Sequence, residues 1–186
     1  MRETFLSSSS KIKPKTAGVI LTSYLGYAGN LLYVNLENGK IRRRPVTDEL
    51  ARAYLGGLGF GVKILYDELR PGIDPLGPEN KLVFASGPLG GTRIPFSGYY
   101  MACGKSCETG LFLGQPLASR WAMSIKQAGY DALVVEGKAE KPAFIWIDDG
   151  TVEIRDAGHL WGKGTYECEE EIRKDLYIKK RKRIRR

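Results

Sequence analysis

The chain has 186 residues, 42% apolar and 27% charged, a length and mix that fit one globular domain with its own core and exclude a disordered or fibrous chain. Its formal charge of +8 is a property of the ends, because seven Lys or Arg occupy the last ten positions and Arg2, Lys11, Lys13 and Lys15 crowd the start. The body between is close to neutral, which removes the first argument for a polyanion-binding surface.

In chain order, residues 1–26, with "SSSSKIKPK", read as a poorly ordered extension. The apolar stretch at 17–29 falls short of the ~20 residues that span a bilayer. Ser23, Tyr24 and Tyr27 interrupt it, and it has no leader-type cleavage site. "NLLYVNLENGKIRRRPV" is two alternating runs around Asn38-Gly39, the strongest short hairpin signal. Thr47 and Asp48 cap a helix over "DELARAY", which stops at Gly56-Gly57, and "GVKILYDEL" predicts a second one ending before Pro71. "KLVFAS" is a buried strand, and residues 87–114 are rich in Gly, Pro, Ser and Thr with strand-like pieces around "GYYMAC". "ASRWAMSIKQAG" has helical spacing, "ALVVEG" and "AFIWI" are strands, and Asp149-Gly150 marks a hairpin into "TVEIRD". A last helix over "TYECEEEIRKDL" leads to the basic tail. Hairpins outnumber crossovers, so the fold class is α+β, β-rich and mostly antiparallel, with a few helices.

Four constellations invite chemistry and fail on spacing or context. Gly98 with Gly104-Lys105-Ser106 resembles a phosphate loop, but five residues intervene instead of four and Gly110 breaks the helix that should follow. "GGLGFG" follows a helix rather than a strand, so it is a helix break and not a dinucleotide fingerprint. Cys103 and Cys107 form a C-x3-C pair with only Cys168 and His159 to complete a set, too few for a metal or cluster site held by this chain alone. His159 beside Trp161, the Asp148-Asp149 pair and the Glu169–171 run read as a packed or solvent-facing residue, a turn and a solvated helix face. No catalytic residue and no metal ligand is assigned. Three cysteines, an odd number, fit a reducing, cytoplasmic setting.

The linear order of phrases carries more. "DPLGPENKL", "ASGPLGGT", "GKSCETG" and "AGYDALVVEGKAEKP" together resemble the N-terminal domain of the aldehyde:ferredoxin oxidoreductase family, over residues 29–176. The resemblance implies a β-rich domain that carries a tungsten (or molybdenum) bis-pterin, oxidation of aldehydes to acids, and electrons leaving through an iron–sulfur cluster to ferredoxin. The cluster ligands, the acid–base residues and a second pterin-binding stretch belong to later domains that this chain lacks, so the remaining domains, in the same protein or a separate chain, are the implied partners. Carried over by position, the cofactor-binding residues are Tyr99, Pro116 and Ala118, where the family has Arg, Asn and Gly; Tyr99 has no guanidinium fork and Pro116 no amide.

The expected organisation is thus an extension (1–26), a truncated family domain (27–176) and a basic tail (177–186), with a frameshift or truncation at Leu176. The chain alone is expected to be inactive, and its unfinished strand edges to favour self-association. Two other readings stand beside this one. The chain is a non-catalytic module that holds pterin or assists assembly with a separate chain, or the tail binds nucleic acid. The second has no aromatic–basic interleaving in the body behind it, and nothing in the sequence points to a membrane.

Overall fold

A computed structural model describes residues 24–148 and 150–184, with side chains through 175. The expected extension therefore lies almost wholly outside the described residues. The first hairpin forms as its sequence predicts: β1 (Asn30–Asn35) and β2 (Ile41–Pro45) pair antiparallel, and Asn35 Oδ1 accepts from the backbone N–H of Glu37 and Asn38 to close the turn. Thr47 caps α1 (Asp48–Tyr54), its hydroxyl accepting from Leu50 N at 3.1 Å. After the Gly56-Gly57 break comes α2 (Leu58–Glu68), then β3 (Lys81–Ser86), β4 (Tyr99–Lys105) and β5 (Phe112–Ala118). The chain continues through α3 (Trp121–Gln127), β6 (Ala132–Glu136), β7 (Ala143–Asp148), β8 (Thr151–Asp156) and α4 (Thr165–Ile184).

Six strands make one sheet in the order β2-β1-β6-β3-β4-β5, and β7 with β8 makes a separate two-stranded ribbon. All pairs are antiparallel except β1 with β6, so the α+β, mostly antiparallel expectation holds. Asp148 pairs with Thr151, which places the expected β7–β8 turn correctly, although Asp149 itself lies outside the described residues.

Residues paired across a ladder share a face. On one face, Leu31, Tyr33, Val83, Ala85, Cys103 and Val134 pack against Phe60, Ile64 and Leu65 of α2. On the other, Leu32, Val34 and Leu133 meet Ile125 of α3, Tyr130, and the ribbon residues Ile145, Ile147, Val152 and Ile154. The single sheet thus separates two cores, each closed by elements that the apolar periodicity anticipated.

Two polar clusters fasten the sheet. Lys81 Nζ lies 2.8 Å from Glu68 and 2.7 Å from Glu136, while Arg44 and the Tyr33 hydroxyl also bind Glu68 and Arg42 binds Glu136. Burial alone would raise the Glu136 carboxyl, but Lys81 and Arg42 outweigh it and hold it below the usual range. Asp131 is fully buried and accepts from Ala28 N, Gly29 N and Lys126 Nζ, tying the entering chain to the loop between α3 and β6.

α4 continues as one helix to Ile184, through most of the basic tail. Arg173–Glu169 and Lys174–Glu170 are spaced i,i+4 on it, as expected for a solvated helix face. No helix among the described residues is long and apolar enough to cross a membrane.

Candidate functional site

β4 and β5 are adjacent and antiparallel, with Tyr99 opposite Ala118 and Met101 opposite Pro116. The three residues singled out from the sequence, Tyr99, Pro116 and Ala118, therefore share one face, the α2 side, at one end of the sheet. All three are exposed, Tyr99 by 49%. β5 is an edge strand, the place in a sheet where a residue without an N–H does least harm to the ladder, so Pro116 sits where Pro is tolerated. Gln115 Nε2 lies 3.4 Å from the Pro116 carbonyl.

Around this shelf the backbone is unusual. Leu55 and Phe96 are the two non-glycine residues with positive φ among the described residues, at 60° and 66°. Both lie in the segments that wall this end: the α1–α2 break and the 87–98 loop. The two segments touch, since a Cβ on Gly56 would stand 3.2 Å from Gly87 Cα and 3.5 Å from Pro88 Cδ, and Gly57 N donates to Ser86 O at the end of β3 at 3.0 Å. Phe96 is 85% exposed, and Leu55, Leu89 and Ile94 are exposed as well. Strained residues and surface apolar groups gathered at one end of a fold favour a ligand-facing role over a packing role.

A flat, hydrogen-bonding organic group fits what is present. The shelf offers the Tyr99 hydroxyl, the Pro116 carbonyl, a small Ala118, and a Gly98 whose added Cβ would find nothing nearer than Ser119 O at 3.7 Å. Among the described residues no group of three His, Cys, Asp or Glu is placed to hold a metal ion.

The other sequence candidates resolve into structure. Lys105 Nζ donates to Ile73 O at 2.6 Å, and Ser106 Oγ accepts from Glu108 N and Thr109 N, so the loop-like Gly-Lys-Ser belongs to a strand end and a turn. Cys103 is buried, its thiol pushed up to about 11 by burial, and Cys107 is exposed. His159 Nε2 faces Asp175 at 3.4 Å on the surface. A groove of about 460 Å³ lies at the opposite end of β4 and β5, between Val62, Tyr66 and Leu69 of the α2 region and Leu111 and Phe112. Sequence reasoning missed Asp131 and the two positive-φ side chains. The only signal for Asp131 was a charge between Tyr130 and the apolar run of β6.

Residues 31–185 match the model of the aldehyde ferredoxin oxidoreductase N-terminal domain. The chain belongs to the aldehyde ferredoxin oxidoreductase family. Within that family it is 46% identical over 151 residues to a tungsten-containing aldehyde ferredoxin oxidoreductase of Pyrococcus furiosus, a match covering 81% of this chain and 25% of the relative. The corresponding protein of Thermococcus kodakarensis is 44% identical with the same coverage. An aliphatic sulfonate oxidoreductase, WOR-like subunit, of Pyrococcus furiosus is 35% identical over 165 residues. Among solved structures, the active site complex BamBC of benzoyl coenzyme A reductase with 1,5 dienoyl-CoA superposes with a TM-score of 0.80 at 38% identity, covering 82% of this chain and 23% of that one. The chain spans about a quarter of the length of the curated relatives it matches.

Proposed function

We propose that this chain is the metallopterin-holding part of an aldehyde:ferredoxin oxidoreductase that works only with the domains supplied beyond it. The observation behind this reading is the convergence of Tyr99, Pro116 and Ala118 on one open, strained and glycine-rich shelf. Such a cofactor, when bound, supplies two-electron oxidation–reduction chemistry. The chain's own part is to seat it: Tyr99 donates a phenolic hydrogen bond, the Pro116 carbonyl accepts one, and Ala118 leaves room for a flat ring. Iron–sulfur ligands and ferredoxin contacts belong to the remaining domains, and the three free thiols suit a cytoplasmic protein. The names of the relatives span aldehydes, aliphatic sulfonates and a coenzyme A thioester on one shared domain. Substrate choice is therefore assigned to other parts of these proteins.

The test is co-expression of the full chain with a polypeptide carrying the remaining three quarters of a relative, in tungstate-supplemented cells. Tungsten, pterin fluorescence after oxidation, and aldehyde-dependent viologen reduction are measured. The expected result is pterin in the assembly and turnover only there. Turnover by the chain alone would refute its dependence on other domains, and an active assembly without pterin would refute the cofactor. The assembly-module reading draws on the same short span. It predicts pterin binding without turnover in the complemented assembly.

A further inference from the structure

The backbone beside the shelf bends at a residue ill suited to the bend. Leu55 has φ 60° and ψ −39°, and Gly56 N donates back to Tyr54 O at 2.6 Å. This is a γ-turn of the positive-φ sense, rare and strained for a residue that carries a side chain. Packing does not offset the strain, because Leu55 is 64% exposed. Such a bend persists where its surroundings over-determine it.

The bend stands on the face of the sheet that carries the shelf. Gly57 lies against Met101, whose Cγ would be 3.5 Å from an added Cβ. Met101 is opposite Pro116 and two residues from Tyr99, so the three share that face. A shift at Leu55 therefore carries the Gly57 backbone toward or away from positions 99 and 116.

The restraint comes from the entering chain. Tyr27 Oη donates to Leu55 O at 2.7 Å, with Ala51 O at 3.3 Å. The Tyr27 ring is partly buried and stacks on Phe60 of α2, with centroids 6.2 Å apart. The backbone on both sides of it is tied down: Gly26 O accepts from Lys126 Nζ at 2.6 Å, and Ala28 N and Gly29 N donate to Asp131. Gly26 also abuts the 87–98 loop, where an added Cβ would meet Pro88 O at 2.8 Å. One tyrosine thus links the α1–α2 break to the segment that touches the other wall.

We propose that Tyr27 is a positioning residue for the cofactor shelf, its hydroxyl holding Leu55 O so that the strained turn keeps Gly57 in place over the Tyr99–Pro116 face; this rests on the metallopterin reading above. The role is exerted through Leu55 and Gly57.

The first arm of the test measures amide hydrogen exchange in the full chain. It compares Tyr27→Phe, Leu55→Gly, the double variant and Tyr66→Phe, the last at an exposed tyrosine elsewhere on α2. Tyr27→Phe keeps the ring stack and removes one hydrogen bond, so the Gly57 amide should exchange about tenfold faster. The Val134 amide, in the core of the sheet, should change much less. Glycine adopts positive φ without strain, so Leu55→Gly in the Tyr27→Phe background should restore protection at Gly57, and Tyr66→Phe should change nothing. An equal rise at Gly57 and Val134 is ordinary loss of stability and overturns the inference, as does a double variant that exchanges no more slowly than Tyr27→Phe. The second arm measures pterin content in the co-expressed assembly, expected to fall about tenfold with Tyr27→Phe and to return when Leu55→Gly is added. Pterin retained in full by Tyr27→Phe overturns this inference and leaves the cofactor reading intact. A wild-type assembly active without pterin overturns the cofactor reading and, with it, this role for Tyr27, even where exchange at Gly57 is as expected.

Discussion

Asp131 is an unpaired-looking acid in the sequence and a fully buried, triply bonded one in the fold. Its partner Lys126 also donates to Gly26 O and lies 5.3 Å from the Tyr27 ring centroid. Asp131→Ala leaves that ammonium and two backbone N–H groups without their acceptor, so the cost should be about 3–5 kcal/mol, read by urea unfolding. Replacing both Lys126 and Asp131 by apolar residues should cost much less than the single change; a double variant as unstable as Asp131→Ala would argue against this account. A second residue-scale expectation concerns pH. Glu136 is held below its ordinary range in the fold, so the stability it contributes is complete above the unfolded carboxylate value of about 4.3 and is lost as pH falls through its folded value. Lys81 is opposed by burial, but Glu136 and Glu68 raise it overall. Its contribution is complete below its unfolded value of about 10.4 and fades as pH rises through the folded one. Lys81→Met should flatten both limbs of a stability–pH profile measured by denaturant titration, while Arg70→Gln, at an exposed pair, should leave them in place.

The elements show which parts of the fold the sequence carried. The Asn38-Gly39 hairpin, the Thr47 cap and the buried run of β3 followed from local chemistry that the tertiary structure does not contradict. β5 was hidden because Gly114 and Pro116 are poor strand formers; it exists because β4 offers it seven paired residues and Leu58 packs over Gly114. The start of α2 was hidden for a related reason. Glycines at 57, 59 and 61 argue against a helix by propensity, but Phe60 enters the core there and tertiary packing outweighs the local cost. Gly61 shows what the glycine is for, since a Cβ at that position would collide with Cys103 Sγ and Cβ in β4. On an exposed helix Gly→Ala gains about 1 kcal/mol. Here Gly61→Ala should instead lose about 1–3 kcal/mol through overpacking, measured by thermal unfolding. Adding Cys103→Ala should recover part of that loss, and full additivity of the two changes would refute the contact. The proposed site was read in the same uneven way: positions 99, 116 and 118 were picked out by phrase order, whereas their shared face needed the β4–β5 register.

On the scale of the whole molecule, the two edges of the six-stranded sheet are finished differently. β2 presents Arg42, Arg43, Arg44 and Pro45, and Arg42 and Arg44 are engaged with Glu136 and Glu68 of neighbouring elements. Charge and proline of this kind close an edge to further association. β5 reads "FLGQPLA" without a single charge, and beside it Leu111 is 70% exposed and Tyr66 85%. The match covers only about a quarter of the relatives' length, and of the two edges the β5 side carries the larger uncharged, exposed apolar surface. Pro116 cannot donate to an added ladder, so contact there runs through side chains more than through a seventh strand. The isolated chain should therefore self-associate in sedimentation velocity, with the weight-average mass rising with concentration. Leu113→Lys replaces an exposed β5 side chain and should shift the chain toward monomer without lowering its melting temperature. Ile41→Lys on the β2 edge should leave association unchanged. A chain that stays monomeric at every concentration, or one in which both substitutions act alike, would show that the uncharged edge does not drive association.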